Sequence, residues 1–249
     1  MSNILEVEKL AKSFGGVKAV DKVSFTLERG SLLAMIGPNG AGKSTCFNLI
    51  NGQLRPDSGR VNIMGKSTHG KKPRDIWNLG VGRTFQIAAT FGSMTVLENV
   101  QMAKLSYHRK TTSLLKPVPK MDSSEAMELL ELVGISDQYD RACGVMAYGD
   151  VKRLELAVAL ANEPKLLLMD EPTAGMGPAE RNALMELTTD IVRTRNIGVL
   201  FTEHDMDVVF SHADKIIVLN RGKLIAQGTP DQVRLNKRVK EIYLGEAPV

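Results

Sequence analysis

Gly37-Pro38-Asn39-Gly40-Ala41-Gly42-Lys43-Ser44, followed by Thr45, matches the spacing G-x-x-x-x-G-K-[ST] in full. The apolar run Leu32-Leu33-Ala34-Met35-Ile36 before it reads as a buried parallel strand, and Cys46-Phe47-Asn48-Leu49-Ile50 after it continues as a helix. The glycines therefore fall in a strand-to-helix turn. Glycine lets backbone N–H groups close around phosphate oxygens, and the helix N-terminus adds about half a positive charge facing the anion. In this pattern Lys43 reaches the β- and γ-phosphates and the Ser44 hydroxyl ligates Mg²⁺.

A second strong signal lies further along. Lys165-Leu166-Leu167-Leu168-Met169-Asp170-Glu171-Pro172 runs four apolar residues into two carboxylates. A buried parallel strand that delivers acids at its C-terminal end marks the ligand edge of an α/β fold. Asp170 suits a role at Mg²⁺ opposite Ser44, and Glu171 suits a base that orients or deprotonates an attacking water. Another strand, Gly198 to Thr202, delivers Glu203-His204-Asp205. His204 reads equally well as a surface histidine or as a site residue.

Between and around these signals the chain is ordinary. The 249 residues are 43% hydrophobic and 24% charged with net charge +4, a composition that excludes disordered and fibrous classes. Two cysteines, Cys46 and Cys143, are too few for a disulfide framework and point to a reducing compartment. Cys46 adjoins the phosphate loop, so either alkylation there blocks nucleotide or the residue is a small buried apolar group. The N-terminus carries acids where a signal peptide needs an apolar core, and no window reaches about 18 uninterrupted apolar residues.

Ile4 to Leu10, Val23 to Glu28 and Val61 to Met64 alternate as half-buried strands, which predicts an antiparallel sheet near the N-terminus. Lys12-Ser13-Phe14-Gly15-Gly16 between the first two reads as an exposed turn, and Phe14 there serves either to stack on an adenine or to pack a strand end. Asn78 to Gln86 reads as a strand. Met94 to Ala103 and Ser123 to Val133 have helical spacing, the second with Asp122-Ser123-Ser124-Glu125 as capping residues and Ala126, Met127, Leu130 and Val133 on one face. The basic stretch His108 to Lys120, with Pro117 and Pro119, reads as a surface loop. Val151 to Ala161 is helical with Leu154, Val158 and Ala161 on one stripe, and Arg181 to Arg195 is helical with Leu184, Leu187, Ile191 and Val192 inward. Lys215 to Leu219 reads as the last buried strand, and the tail beyond Gly228 as helical and charged.

The order of these motifs resembles the nucleotide-binding subunit of an ATP-binding cassette (ABC) transporter across essentially the whole chain. That resemblance implies an α/β fold: a P-loop NTPase (RecA-like) core with an N-terminal antiparallel β subdomain and an inserted α-helical subdomain. Residues 1–86 and 151–249 would form the ATP-binding core within a single cassette, and residues 87–150 the helical part. It implies ATP and Mg²⁺ as cofactors, with Phe14 stacking on adenine and Gly37, Pro38, Asn39, Gly40, Ala41, Gly42, Lys43, Ser44 and Thr45 holding the phosphates. Gln86 matches the glutamine that senses Mg²⁺ and the γ-phosphate, Glu171 the catalytic base, and His204 the switch histidine. The family signature, commonly Leu-Ser-Gly-Gly-Gln, stands here as Met146-Ala147-Tyr148-Gly149-Asp150. In the family it binds the ATP held by a second subunit. Ala147 removes the serine hydroxyl, a hydrogen bond to a charged group of about 1.5–3 kcal/mol, and Asp150 adds an acid. The backbone and helix-terminus contribution survives both changes.

Gly82-Arg83-Thr84-Phe85-Gln86, Met94 to Val100, Ala174-Gly175-Met176 and Ile242-Tyr243-Leu244-Gly245 resemble the branched-chain amino acid uptake subgroup. The implied partners are integral-membrane permease subunits, a second ATP-binding subunit and, indirectly, an external solute-binding protein. Nucleic acid is not expected, and the place implied is the cytoplasmic face of the inner (cell) membrane. Importers of other small solutes such as urea, amides or aromatic acids remain open alternatives. A soluble ATPase acting on nucleic acid is another, although the chain has one cassette and no sustained heptads. A GTPase is a third; Asn236-Lys237-Arg238-Val239 lacks the aspartate of a guanine-reading Asn-Lys-x-Asp element.

Overall fold

Each central strand sends alternate side chains to two separate cores, and this alternation explains how two sheets and a helical layer join. In the computed structural model, residues 3–84, 90–107 and 123–244 are described. Strand β3 (Leu32–Ile36) is buried along its full length. Leu32, Ala34 and Ile36 point into one core and Leu33 and Met35 into the other. β7 (Leu166–Asp170) divides the same way, with Leu167 and Met169 opposite Leu166 and Leu168, and so does β8 (Gly198–Thr202), with Val199 and Phe201 opposite Leu200. Two-sided burial explains why these strands read as continuous apolar runs. Phe47 and Phe201 are each fully buried, and each contributes about 1.5–3 kcal/mol by leaving water.

The larger sheet has six strands in the order β10-β9-β3-β8-β7-β6, with β6 at Val81–Thr84, β9 at Lys215–Asn220 and β10 at Lys223–Gly228. Five strands are parallel; β10 pairs antiparallel with β9 at the edge. Lys215 to Leu219, expected as the last buried strand, forms β9, and the strand that follows it at the edge, β10, is half-exposed. β10 buries only Ala226 and follows a turn at Arg221-Gly222, so it lacks the apolar run that marks the central strands.

The smaller sheet is antiparallel, in the order β2-β1-β4-β5, from β1 (Asn3–Phe14), β2 (Val17–Glu28), β4 (Ser58–Ile63) and β5 (Lys66–Ser67). The antiparallel expectation holds, but β1 continues through Lys12-Ser13 to Phe14. The turn itself is Gly15-Gly16, at φ 51° and 87°. Helix α1 (Lys43–Ile50) lies between the two sheets' apolar faces, with Cys46, Phe47, Leu49 and Ile50 buried.

Helices α3 (Val96–Tyr107), α4 (Ser124–Leu132) and α5 (Tyr148–Leu160) pack on one another. Ser123 has helical dihedrals and makes no side-chain cap bond, so the expected cap there is not formed. On α4 the buried set is Ala126, Leu129 and Leu130, with Met127 only partly buried. On α6 (Pro178–Arg195) Met185 and Thr188 turn inward while Leu187 is partly buried, and Val158 is likewise partial on α5. A short helix, α2 (Pro73–Trp77), for which the sequence gives no reading, precedes β6. The remaining helices are α7 (Met206–His212), α8 (Pro230–Leu235) and α9 (Lys237–Leu244). Among the described residues no helix is long and apolar enough to cross a membrane.

Candidate functional site

The parallel register brings three chain segments to one edge. Met35 pairs with Thr202, and Thr202 with Asp170, so the phosphate loop after β3 emerges beside the ends of β8 and β7. Its first and last glycines are tightly enclosed. A Cβ on Gly37 would lie 2.3 Å from the Leu219 carbonyl oxygen, and one on Gly42, at φ 106°, 2.3 Å from that of Ala19. Only glycine fits either place. The β9–β10 turn closes the third side, where the Gly222 N–H donates to the Ala41 carbonyl at 2.9 Å and the Asp21 N–H to the Gly222 carbonyl at 2.8 Å.

Within the loop, Pro38 is half-buried, Asn39 and Gly40 are exposed and Ala41 is buried. Lys43 is 8% exposed, and its Nζ donates to the Gly37 carbonyl at 2.6 Å and the Pro38 carbonyl at 3.4 Å. Burial pushes its ammonium below the usual lysine range, and the charges of Glu171 and Asp170 oppose that shift, which puts both carboxylates within electrostatic reach of Lys43. Ser44 is exposed at the start of α1 and Thr45 is half-buried.

Asp170 accepts from the Thr202 hydroxyl at 2.7 Å, and the Arg83 guanidinium stands 3.8 Å away. Burial lowers the Arg83 pKa, and Asp170 opposes this. Arg83 also donates to Asn48 of α1 at 3.2 Å, tying β6 to the helix behind the phosphate loop. Glu171 sits in the left-handed region at φ 51°. Its N–H donates to the Thr202 hydroxyl oxygen at 3.0 Å and the Thr202 carbonyl at 3.2 Å, and its Oε1 lies 2.8 Å from His204 Nε2. His204 is thus no lone surface histidine: it pairs with the carboxylate read as a base. Glu203, passed over in favour of its neighbour, is 5% exposed. It accepts from the Thr173 N–H at 2.8 Å and the Thr173 hydroxyl at 2.7 Å. Burial raises its pKa, and those hydrogen bonds hold it back.

Gln86 falls outside the described residues. Ala147, Tyr148, Gly149 and Asp150 form the N-terminal end of α5, with Ala147 as the cap and no side-chain cap bond. Tyr148 donates its hydroxyl to the Ala174 carbonyl at 3.0 Å, and Asp150 accepts from Gln138 at 3.0 Å. Arg181 links the neighbouring loop to the histidine segment, donating to the Met176 carbonyl at 2.9 Å and forming an ion pair with Asp205, the N-cap of α7. Phe14 is 47% exposed at the β1–β2 hairpin tip. Cys46 is fully buried and its thiol is pushed up to about 12, so it is not the reactive cysteine considered above.

A glycine loop entering a helix, a buried lysine and two strand-end carboxylates on a mostly parallel sheet define a P-loop nucleoside triphosphatase. Comparison with known proteins narrows this. Residues 20–174 match the family model described as ABC transporter, and residues 223–248 that described as Branched-chain amino acid ATP-binding cassette transporter. The high-affinity branched-chain amino acid transport ATP-binding protein BraF of Pseudomonas aeruginosa is 40% identical, over 98% of each chain. The high-affinity branched-chain amino acid transport ATP-binding protein LivG of Escherichia coli K12 is 38% identical over 98% of each chain. The ADP conformation of an ATP-binding cassette from an ABC transporter superposes with TM-score 0.87 at 34% identity, covering 99% of this chain and all of that one. The chain belongs to the ABC transporter family, as an ATP-hydrolysing, nucleotide-binding cassette.

Proposed function

We propose that the protein is the ATPase subunit that energises uptake of branched-chain amino acids, working at the cytoplasmic face of the membrane with permease subunits and a second ATP-binding subunit. The observation that carries this is the contact of Glu171 with His204 beside the Lys43 loop. Near-full-length similarity to branched-chain transport proteins supports the solute class.

In this reading the N–H groups of residues 37–45 bind the phosphates and Lys43 leaves its loop carbonyls for the β- and γ-oxygens. The Ser44 hydroxyl and the Asp170 carboxylate are hard oxygen donors that suit Mg²⁺, which keeps most of its waters. When bound, Mg²⁺ supplies neutralisation of phosphate charge. Glu171 takes the proton of the attacking water through its side-chain carboxylate, and His204 fixes that carboxylate's orientation through Oε1. Gln86 would offer the ion a further oxygen donor and so sense the γ-phosphate. Phe14 stacks on adenine, while Ala147 to Asp150 present the α5 N-terminus to ATP held by the partner. The helical part of the chain, with α3, α4 and the start of α5, passes the force of closure to the permease. Without the serine hydroxyl at Ala147 the partner's site is the weaker one, which favours a non-identical partner. An external solute-binding protein delivers the solute.

The test is to purify tagged Glu171→Gln protein with ATP from gently solubilised native membranes, beside Lys43→Ala. Glu171→Gln should retain ATP and co-purify a multi-spanning permease, and Lys43→Ala should lose nucleotide. A Glu171→Gln protein with normal turnover removes Glu171 from its role. Recovery of only soluble protein or nucleic acid removes the transport role.

A further inference from the structure

Phe14 ends β1, at the tip of a hairpin whose register is irregular on the approach to the ring. The β1–β2 register shifts at Leu10/Lys12 and again at Lys12/Ser13. Gly15 and Gly16, which follow, meet nothing within 4 Å of where a Cβ would sit. A half-exposed ring in such a place has to be positioned by something else if it is to meet a base in one orientation.

Asp57, just ahead of β4, supplies that. Its N–H donates to the Ala11 carbonyl at 2.9 Å, its Oδ2 accepts from the Ser13 N–H at 2.7 Å, and its Oδ1 accepts from Lys12 Nζ at 2.7 Å. Lys12 Nζ in turn lies 5.6 Å from the centroid of the Phe14 ring, within cation–π range. Three bonds from one residue thus lock the strand segment that leads into Phe14, and the same carboxylate holds a cation against the ring. The Lys12 hydrogen bond, then that from Ser13, hold the Asp57 carboxyl below its ordinary range, which favours its ionised form. The pair is too exposed to add much to stability: the Lys12 side chain is 19% exposed and that of Asp57 is 48% exposed.

We propose that Asp57 and Lys12 are positioning residues for the nucleobase, fixing Phe14 from one side so that a purine stacks on the other. This rests on the reading of Phe14 as the adenine platform, and it predicts dependence on the base and independence of the phosphates. Stacking accepts any base with a π-face, so ATP and GTP share the effect.

Calorimetric titration of the full chain with MgATP, MgGTP and Mg-tripolyphosphate tests it, using Asp57→Ala, Lys12→Met, Lys12→Arg and Phe14→Ala. Asp57→Ala and Lys12→Met should each weaken both nucleotides about threefold to tenfold, leave tripolyphosphate unchanged, and add nothing further in a Phe14→Ala background. Lys12→Arg should restore nucleotide affinity. Equal weakening of tripolyphosphate overturns the proposal, because the pair then acts on the phosphate site through the fold. Unchanged nucleotide affinity in Asp57→Ala and Lys12→Met, with Phe14→Ala impaired, overturns it while leaving the adenine platform in place. Unchanged affinity in Phe14→Ala itself overturns the platform and the proposal together.

Discussion

Replacing Thr202 by valine exchanges one hydroxyl for a methyl of nearly the same size at a position with no solvent exposure. No cavity forms, so the consequences come from two hydrogen bonds. The hydroxyl donates to Asp170 Oδ1 at 2.7 Å and accepts from the Glu171 N–H at 3.0 Å. The first, to an ionised carboxylate, is worth about 1.5–3 kcal/mol. The second costs less, because that N–H keeps the Thr202 carbonyl at 3.2 Å. It is nevertheless part of what holds Glu171 at φ 51°, a conformation that costs about 1–3 kcal/mol in a residue other than glycine. A net loss near 2 kcal/mol should lower the melting temperature by about 4–8 °C for a chain of this size. If Glu171 also relaxes away from the orientation His204 gives it, turnover should fall about tenfold, the equivalent of roughly 1.4 kcal/mol in the barrier. Differential scanning calorimetry and a phosphate-release assay read the two effects, and Thr202→Ser should retain both properties. A Thr202→Val protein that melts within about 1 °C of the parent and turns over ATP at the same rate refutes the idea that this hydroxyl holds the two carboxylates.

Two further outcomes follow from burial and charge. Cys46, with its thiol raised to about 12, should resist N-ethylmaleimide at pH 7.5 in the folded protein and react only on unfolding, as mass spectrometry of the intact chain can read; rapid labelling without unfolding contradicts the buried placement. Glu203 has its pKa raised by burial, so the native state binds its proton more tightly than the unfolded chain does, and its contribution to stability falls as pH rises from the ordinary carboxylate range through the raised native value. Glu203→Gln should therefore gain urea resistance relative to the parent as pH rises from 4.5 to 8, and parallel profiles would count against a buried ionising carboxyl there.

The contiguous parts of the site are legible in the sequence because their chemistry is local. A phosphate cradle needs neighbouring N–H groups, so Gly37 to Thr45 announces itself in nine consecutive residues, and a buried parallel strand ending in acids is written in Leu166 to Glu171. Helix faces were read less well. Leu129, Met185 and Thr188 are buried where neighbours were expected, because the direction of the core depends on which helices pack against the face. The supposed cap at Ser123 failed for a related reason: a serine before a helix caps it only in an extended backbone, and Ser123 is helical.

By itself the sequence determined the class of chemistry and the order of the motifs, since both depend on residue type and short spacing. Tertiary structure decided how those motifs meet. Tertiary packing, through the strand order β10-β9-β3-β8-β7-β6, sets Thr202 between the Asp170 carboxylate and the Glu171 N–H across about thirty residues of chain and brings Arg83 to Asp170, and through the β1–β4 pairing of the smaller sheet it brings Asp57 to Lys12. It also turns Tyr148 of the signature back onto Ala174 of its own chain. Such pairings carry no periodic signal, because a hydrogen bond between distant segments constrains two positions and leaves the residues between them free.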